Sequence, residues 1–108
     1  MEVVMPNVCV ELSGRYDMGY TVMVNPWLAV VSKKKKGTIT WKGSHPLKIK
    51  HATPNNFKTP AGAGTWKKSH KSGAVTGAPG KKIYHYSISI KAAPGHIVTI
   101  DPDYRIDP

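Results

Sequence analysis

From Asn7 to Leu12 the chain reads NVCVEL, with Val8, Val10 and Leu12 at every second position. Successive side chains of a strand point to opposite faces, so this period predicts a strand with one buried face. The same pattern recurs. YTVMV spans Tyr20 to Val24 and WLAVVS spans Trp27 to Ser32, with Asn25 and Pro26 between them. A proline there predicts a bend or an edge crossing, because it has no N–H for a ladder. A turn at Lys35 to Gly37 leads into a strand from Thr38 to Lys42 with Ile39 and Trp41 on one side. LKIKH, Leu47 to His51, places Leu47 and Ile49 inward and Lys48 and Lys50 outward.

Beyond His51 the alternation fades. Ala52 to Lys71 carries Pro54, Asn55, Asn56 and Pro60, and reads as a long loop anchored by Phe57 and Trp66. Ser72 to Thr76 is expected as a short strand. After the Ala78-Pro79-Gly80 turn, Lys81 to Lys91 is the longest predicted strand. Tyr84, Tyr86, Ile88 and Ile90 share one face, and Ile83, His85, Ser87 and Ser89 the other, where His85 reads as the polar side of an edge strand. Another turn, Ala93-Pro94-Gly95, precedes a last full strand from His96 to Asp101, and DPDYRIDP is expected to trail off.

No segment carries a helical period, and glycine and proline punctuate the chain throughout. Seven or eight short strands at this spacing predict an all-β fold, an antiparallel sandwich or small barrel. A length of 108 residues fits one domain. No stretch is long and apolar enough for a membrane span. The N-terminal run is broken by Pro6 and Asn7 and begins with Glu2, which is not the pattern of a signal peptide. A single cysteine, Cys9, allows no intramolecular disulfide, so a reducing, cytoplasmic setting is expected.

Charge changes the picture most. Lysine and arginine total 16 against 6 acids, a net charge of +10. The acids lie near the ends: Glu2, Glu11, Asp17, Asp101, Asp103 and Asp107. Between Met18 and Ile100 stand fourteen lysines and no acid. Such a body attracts polyanions, although lysines also keep exposed sheet edges soluble.

In order of features, YTVMVNPWLAVVSKKKKGTITW and PGKKIYHYSISI resemble the cupredoxin-like sandwich. The former is similar to that family's opening strands, closing on a threonine-tryptophan pair, here Thr40-Trp41. The latter is similar to its proline-glycine turn and long penultimate strand. The resemblance implies a single antiparallel Greek-key β-sandwich over residues 20–108, with residues 1–19 an N-terminal extension or added strand. In the family, copper is held by an early histidine, then by a cysteine, a second histidine and usually a methionine after the penultimate strand. Copper needs that soft thiolate beside two imidazoles. Here Tyr84 to Gly95 contains neither cysteine nor methionine, and Cys9 lies in the extension. His45 or His51 stands near the early position and His96 near the late one. The resemblance therefore implies a copper-free relative with no cofactor, a divergent metal-binding form being the further alternative.

Catalytic patterns are absent from the basic body. It holds no paired carboxylates, no nucleophile elbow and no phosphate loop of the required spacing. His45, His51, His70, His85 and His96 form no metal-ligand spacing. What remains is lysine interleaved with aromatic rings. Candidate polyanion-binding residues are Lys33, Lys34, Lys35 and Lys36, then Lys42 beside Trp41, then Trp66, Lys67, Lys68 and Lys71, and finally Lys81 and Lys82. Trp41 alternates with Ile39 and is expected in the core, which leaves Trp66 as the exposed ring. Lysine carries charge but reads no bidentate geometry, so no base-specific readout is expected. The leading expectation is a non-catalytic binding module for an acidic protein or assembly surface. The alternative is nucleic-acid binding without sequence specificity.

Overall fold

A computed structural model describes residues 6–15, 17–51, 55–58 and 65–108. Eight strands follow in chain order: β1 Asn7–Arg15, β2 Gly19–Asn25, β3 Leu28–Ser32, β4 Thr40–His51, β5 Lys67–Lys71, β6 Ile83–Ala93, β7 His96–Ile100 and β8 Asp103–Asp107. Among the described residues there is no helix, and so none long and apolar enough to cross a membrane. The strands pair in the order β2-β1-β4-β6-β8-β3, with β5 also on β4 and β7 also on β6. The sheet curls until it is nearly closed into a barrel.

The expectation of a purely antiparallel sheet is corrected here. β1 runs parallel to β4, with Val8 opposite Trp41, and β3 runs parallel to β8, with Ala29 opposite Tyr104. Both pairings join strands far apart in sequence, which alternation alone does not orient. β1 lies inside the sheet, between β2 and β4, and it buries Val8 and Val10. The boundary at residue 19 falls at the start of β2, within the antiparallel β1–β2 hairpin.

The predicted faces appear in the burial. On β4, Trp41, Leu47 and Ile49 are buried, and on β6, Tyr86, Ile88 and Ile90 are buried. Ile39, Val31, Ala29, Tyr104 and Ile106 complete the centre of the core. Removing each large apolar side chain from water stabilises the fold by roughly 1.5–3 kcal/mol. The segments predicted at Thr38–Lys42 and Leu47–His51 are one strand, β4, interrupted where the β4–β5 register shifts between Lys42 and Leu47. Pro46, which has no N–H to donate, lies inside that irregularity.

Three further expectations change. Lys67–Lys71 is a strand, not loop, and pairs with β4 so that Trp41 faces His70. The His70 ring reaches the Leu47 carbonyl at 2.6 Å, tying β5 across the irregularity. Among the described residues, Ser72 to Thr76 contributes one bridge, Val75 to Phe57. DPDYRIDP does not trail off: it holds β8, seated between β6 and β3, with Tyr104 and Ile106 buried. Of the loop expected from Ala52, residues 52–54 and 59–64 lie outside the described residues, whereas Phe57 is buried as an anchor.

Candidate polyanion-binding face

β4, β5 and β6 contain no acid, and several of their outward positions carry lysine. Alternation about Leu47 and Ile49 turns Lys48 and Lys50 away from the core, and alternation about Ile90 does the same for Lys91. Lys48 pairs in register with Ser89, two residues before Lys91, so the two lysines are diagonal neighbours on one outer face. Trp66, just before β5, lies over this pair. The Lys48 ammonium is 4.6 Å from the centre of its ring and that of Lys91 is 5.9 Å away. Lys67 and Lys68 follow the ring directly and are exposed. Lys42 lies opposite Ser69, and Lys71 lies opposite Thr40, both exposed. The ring is therefore half-buried in a field of ammonium groups, not bare as the sequence alone suggests.

The other predicted lysines gather elsewhere. Lys33 to Lys36 form the turn after β3, closed by Gly37 N–H to the Ser32 carbonyl at 2.9 Å. Lys36 adopts a left-handed conformation, φ 54°. Lys33 N–H donates to the Asp107 carbonyl, and Gly80 N–H to the Ile106 carbonyl, so the turns bearing Lys33–Lys36 and Lys81–Lys82 both abut the end of β8. Some of these cations are already engaged. The Lys33 ammonium donates to the Thr76 carbonyl at 2.6 Å, and that of Lys82 sits 5.3 Å from the centre of the Tyr84 ring. Beside them a cleft of about 660 Å³ opens between Pro79, Gly80, Lys81, Arg105, Asp107 and Pro108. Within it Arg105 is paired to Asp107 at 2.9 Å. The candidate lysines thus form two groups, one on the β4–β5 face and one at the end of β8.

Several of the remaining acids and histidines have partners of their own. On the outer face of β6, His85 meets Asp103 at 2.5 Å, Ser87 donates to Asp101 at 2.7 Å, and Ser89 lies 3.1 Å from Thr99. β6 is paired on both sides, with β4 and with β7 and β8, so His85 is not on an edge strand. A cleft of about 220 Å³ beside this row is lined by Lys50, His51, His85, Tyr86, Ser87 and Asp101. The His51 ring lies among Trp41, Phe57, Tyr86 and Tyr104, with centroids 5.0–6.2 Å away. Neither of its nitrogens has a hydrogen-bond partner among the described residues, and burial lowers its pKa to about 4. Among the described residues, no three His, Cys, Asp or Glu side chains gather where they could share a metal ion. Cys9 is exposed on β1.

Lys48, Lys50 and Lys91 are the functional candidates that a reading by local clusters misses. None belongs to a run of consecutive lysines, and only the β4–β6 register brings Lys48 and Lys91 to Trp66. For Lys48 and Lys50 the outward alternation is the signal that the sequence carries, beside the cluster Trp66, Lys67, Lys68 and Lys71 that it shows directly. No model of a known protein family matches the chain, and no curated protein is detectably similar to it.

Proposed function

We propose that this chain is a non-catalytic polyanion-binding module that engages nucleic acid, without sequence specificity, through the β4–β5 face. The observation that carries the reading is Trp66, set among Lys48, Lys91, Lys67 and Lys68 on strands that contain no acid. Ammonium groups answer phosphates as mobile point charges, and an aromatic ring offers stacking that a surface of carboxylates has no use for. That contrast favours nucleic acid over an acidic protein surface as the partner. The absence of arginine from β4, β5 and β6 fits binding to the backbone without reading base edges.

In ancestry we infer a copper-free, cupredoxin-like Greek-key domain. Support comes from the turn of lysines between β3 and β4, the Thr40-Trp41 pair, and the long β6 after Pro79-Gly80. An exposed, unpaired Cys9 fits a reducing, cytoplasmic setting.

The test is a salt titration against single-stranded nucleic acid, duplex and an acidic protein. Nucleic-acid binding should fall linearly in log K against log salt, with a slope of about −0.7 per neutralised phosphate on single strands and −0.9 on duplex. Tight binding to the acidic protein that outlasts nucleic-acid binding as salt rises would overturn the choice of partner. No salt-dependent binding to any polyanion would leave the lysines as a solubility device.

A further inference from the structure

We propose that Trp66 is a base-stacking platform held ready by parked lysines, and that the ligand of this face is single-stranded nucleic acid in preference to duplex. The inference rests on the polyanion reading of the same face. In the free protein Lys48 and Lys91 occupy the surroundings of the ring, at 4.6 and 5.9 Å from its centre. A lysine over a partly exposed aromatic ring is held only weakly. A base stacked on the same ring tightens binding by roughly 5- to 150-fold. Exchange is therefore favourable in two ways at once. The base takes the ring, and the displaced ammonium keeps its charge close by for the phosphate that the same nucleotide brings. Both lysines project from paired positions of β4 and β6, so they remain within reach after leaving the ring. A duplex keeps its bases stacked on one another and can use only the charge.

The ring is also placed for a strand to run past it. Lys67 and Lys68 continue along β5 on one side, and Lys50 lies two residues beyond Lys48 on the other. No acid stands on any of the three strands, and Asp101, which lines the cleft beside Lys50, already accepts a hydrogen bond from Ser87.

The experiment uses the full chain carrying Trp27→Phe, because Trp27 is 48% exposed and open to quenching in its own right, whereas Trp41 is fully buried and adds a constant background. The probes are a single-stranded oligonucleotide of about 12 nucleotides, within the usual 4–16 nucleotide site sizes, a duplex of the same length, and inorganic polyphosphate. Fluorescence of Trp66 should be quenched by the single strand. Trp66→Leu should weaken single-strand binding roughly 5- to 150-fold, the equivalent of one lost stacking contact. Trp66→Phe should keep most of that affinity, which shows that a flat ring, not mere bulk, is required. Binding of duplex and of polyphosphate should be unchanged by either substitution. Equal losses for all three probes, or single-strand binding indifferent to Trp66→Leu, would overturn the stacking role while leaving the polyanion reading intact. Failure of all three probes to bind the parent protein at low salt would sink both.

Discussion

The indole N–H of Trp41 donates to the hydroxyl of Tyr86 at 3.0 Å, between two rings that are 0% and 1% exposed. Trp41 comes from β4 and Tyr86 from β6, so one hydrogen bond joins the two longest strands inside the core. Their rings also meet at 5.6 Å with a 60° tilt, a favoured edge-on geometry.

Trp41→Ala should therefore lower stability by about 3–5 kcal/mol, as loss of a large core aromatic does. Tyr86→Phe keeps the packing but strands the indole N–H, at about 1–3 kcal/mol. Denaturant unfolding of the two single variants and of the double variant checks this. The double variant should lose less than the sum, because the second change removes an interaction already broken. Burial also pushes the Tyr86 hydroxyl up to about 12, the bond from Trp41 opposing the rise and the charge of Asp103 adding to it. Alkaline titration should then show a tyrosine that ionises near that value. Its appearance near pH 10 would place the ring in water.

How far the sequence foretells this core depends on each strand's neighbours. Leu47 and Ile49 alternate with lysines, and Tyr86, Ile88 and Ile90 with serines and His85, so both faces are legible from pattern alone. β8 is not legible. Its segment has Pro102, Pro108 and three aspartates around only Tyr104 and Ile106, a composition that reads as a polar tail. What makes it a strand is pairing with partners far away: Ile83, Tyr84 and His85 on one side and the parallel β3 on the other. The binding face divides in the same way. Lysines clustered along the chain stand out in the sequence, but Lys48 and Lys91 join Trp66 only through the β4–β6 register.

Ile106→Ala tests the placement of β8 directly. The side chain is fully buried, and Tyr104 beside it accepts a hydrogen bond from the Asn56 amide at 2.8 Å. Truncation should cost about 2–5 kcal/mol, the range for a core isoleucine. A true tail would tolerate the change with an unfolding midpoint equal to that of the parent.

His51 gives the fold a dependence on acid. Burial lowers its pKa from 6.5 to about 4. Between those values the unfolded chain binds a proton that the folded chain refuses, so stability falls as pH drops through that window and levels off below about 4. The loss amounts to at most about 3 kcal/mol, from 1.36 kcal/mol per pKa unit. His51→Phe should flatten this part of the stability profile. It should also not reduce stability at neutral pH, since it removes two buried nitrogens that lack partners and leaves a ring among Trp41, Phe57, Tyr86 and Tyr104. Unfolding measured from pH 7 to pH 4 decides the matter, and an unchanged acid slope in the variant would assign the dependence to other groups.

The two lysine groups should not contribute alike to nucleic-acid binding. Lys67, Lys68 and Lys71 lie on β5 directly after Trp66, with Lys67 and Lys71 on one side of the strand and Lys68 on the other, whereas Lys34, Lys36 and Lys81 stand on the turns at the end of β8. Among the described residues β5 pairs with β4 and β8 with β6 and β3, while the chain beyond Lys71 returns to the turn of Lys33–Lys36, with Ser72 N–H donating to the Ile39 carbonyl and Val75 N–H to the Gly37 carbonyl. Replacing Lys67, Lys68 and Lys71 with glutamine removes charge but retains side-chain length on an exposed strand, so stability should hardly change. The slope of log K against log salt for a single strand should become shallower by about 0.7 for each lysine that meets a phosphate. The corresponding triple replacement at Lys34, Lys36 and Lys81 should leave the slope close to that of the parent. It should lower affinity only through the long-range field, and that loss should fade as salt shortens the screening length from about 10 Å at 0.1 M. Equal flattening by both triple variants would mean that the bound strand spans from the face to the end of β8. Flattening by the triple at the end of β8 alone would move the binding site away from Trp66 altogether.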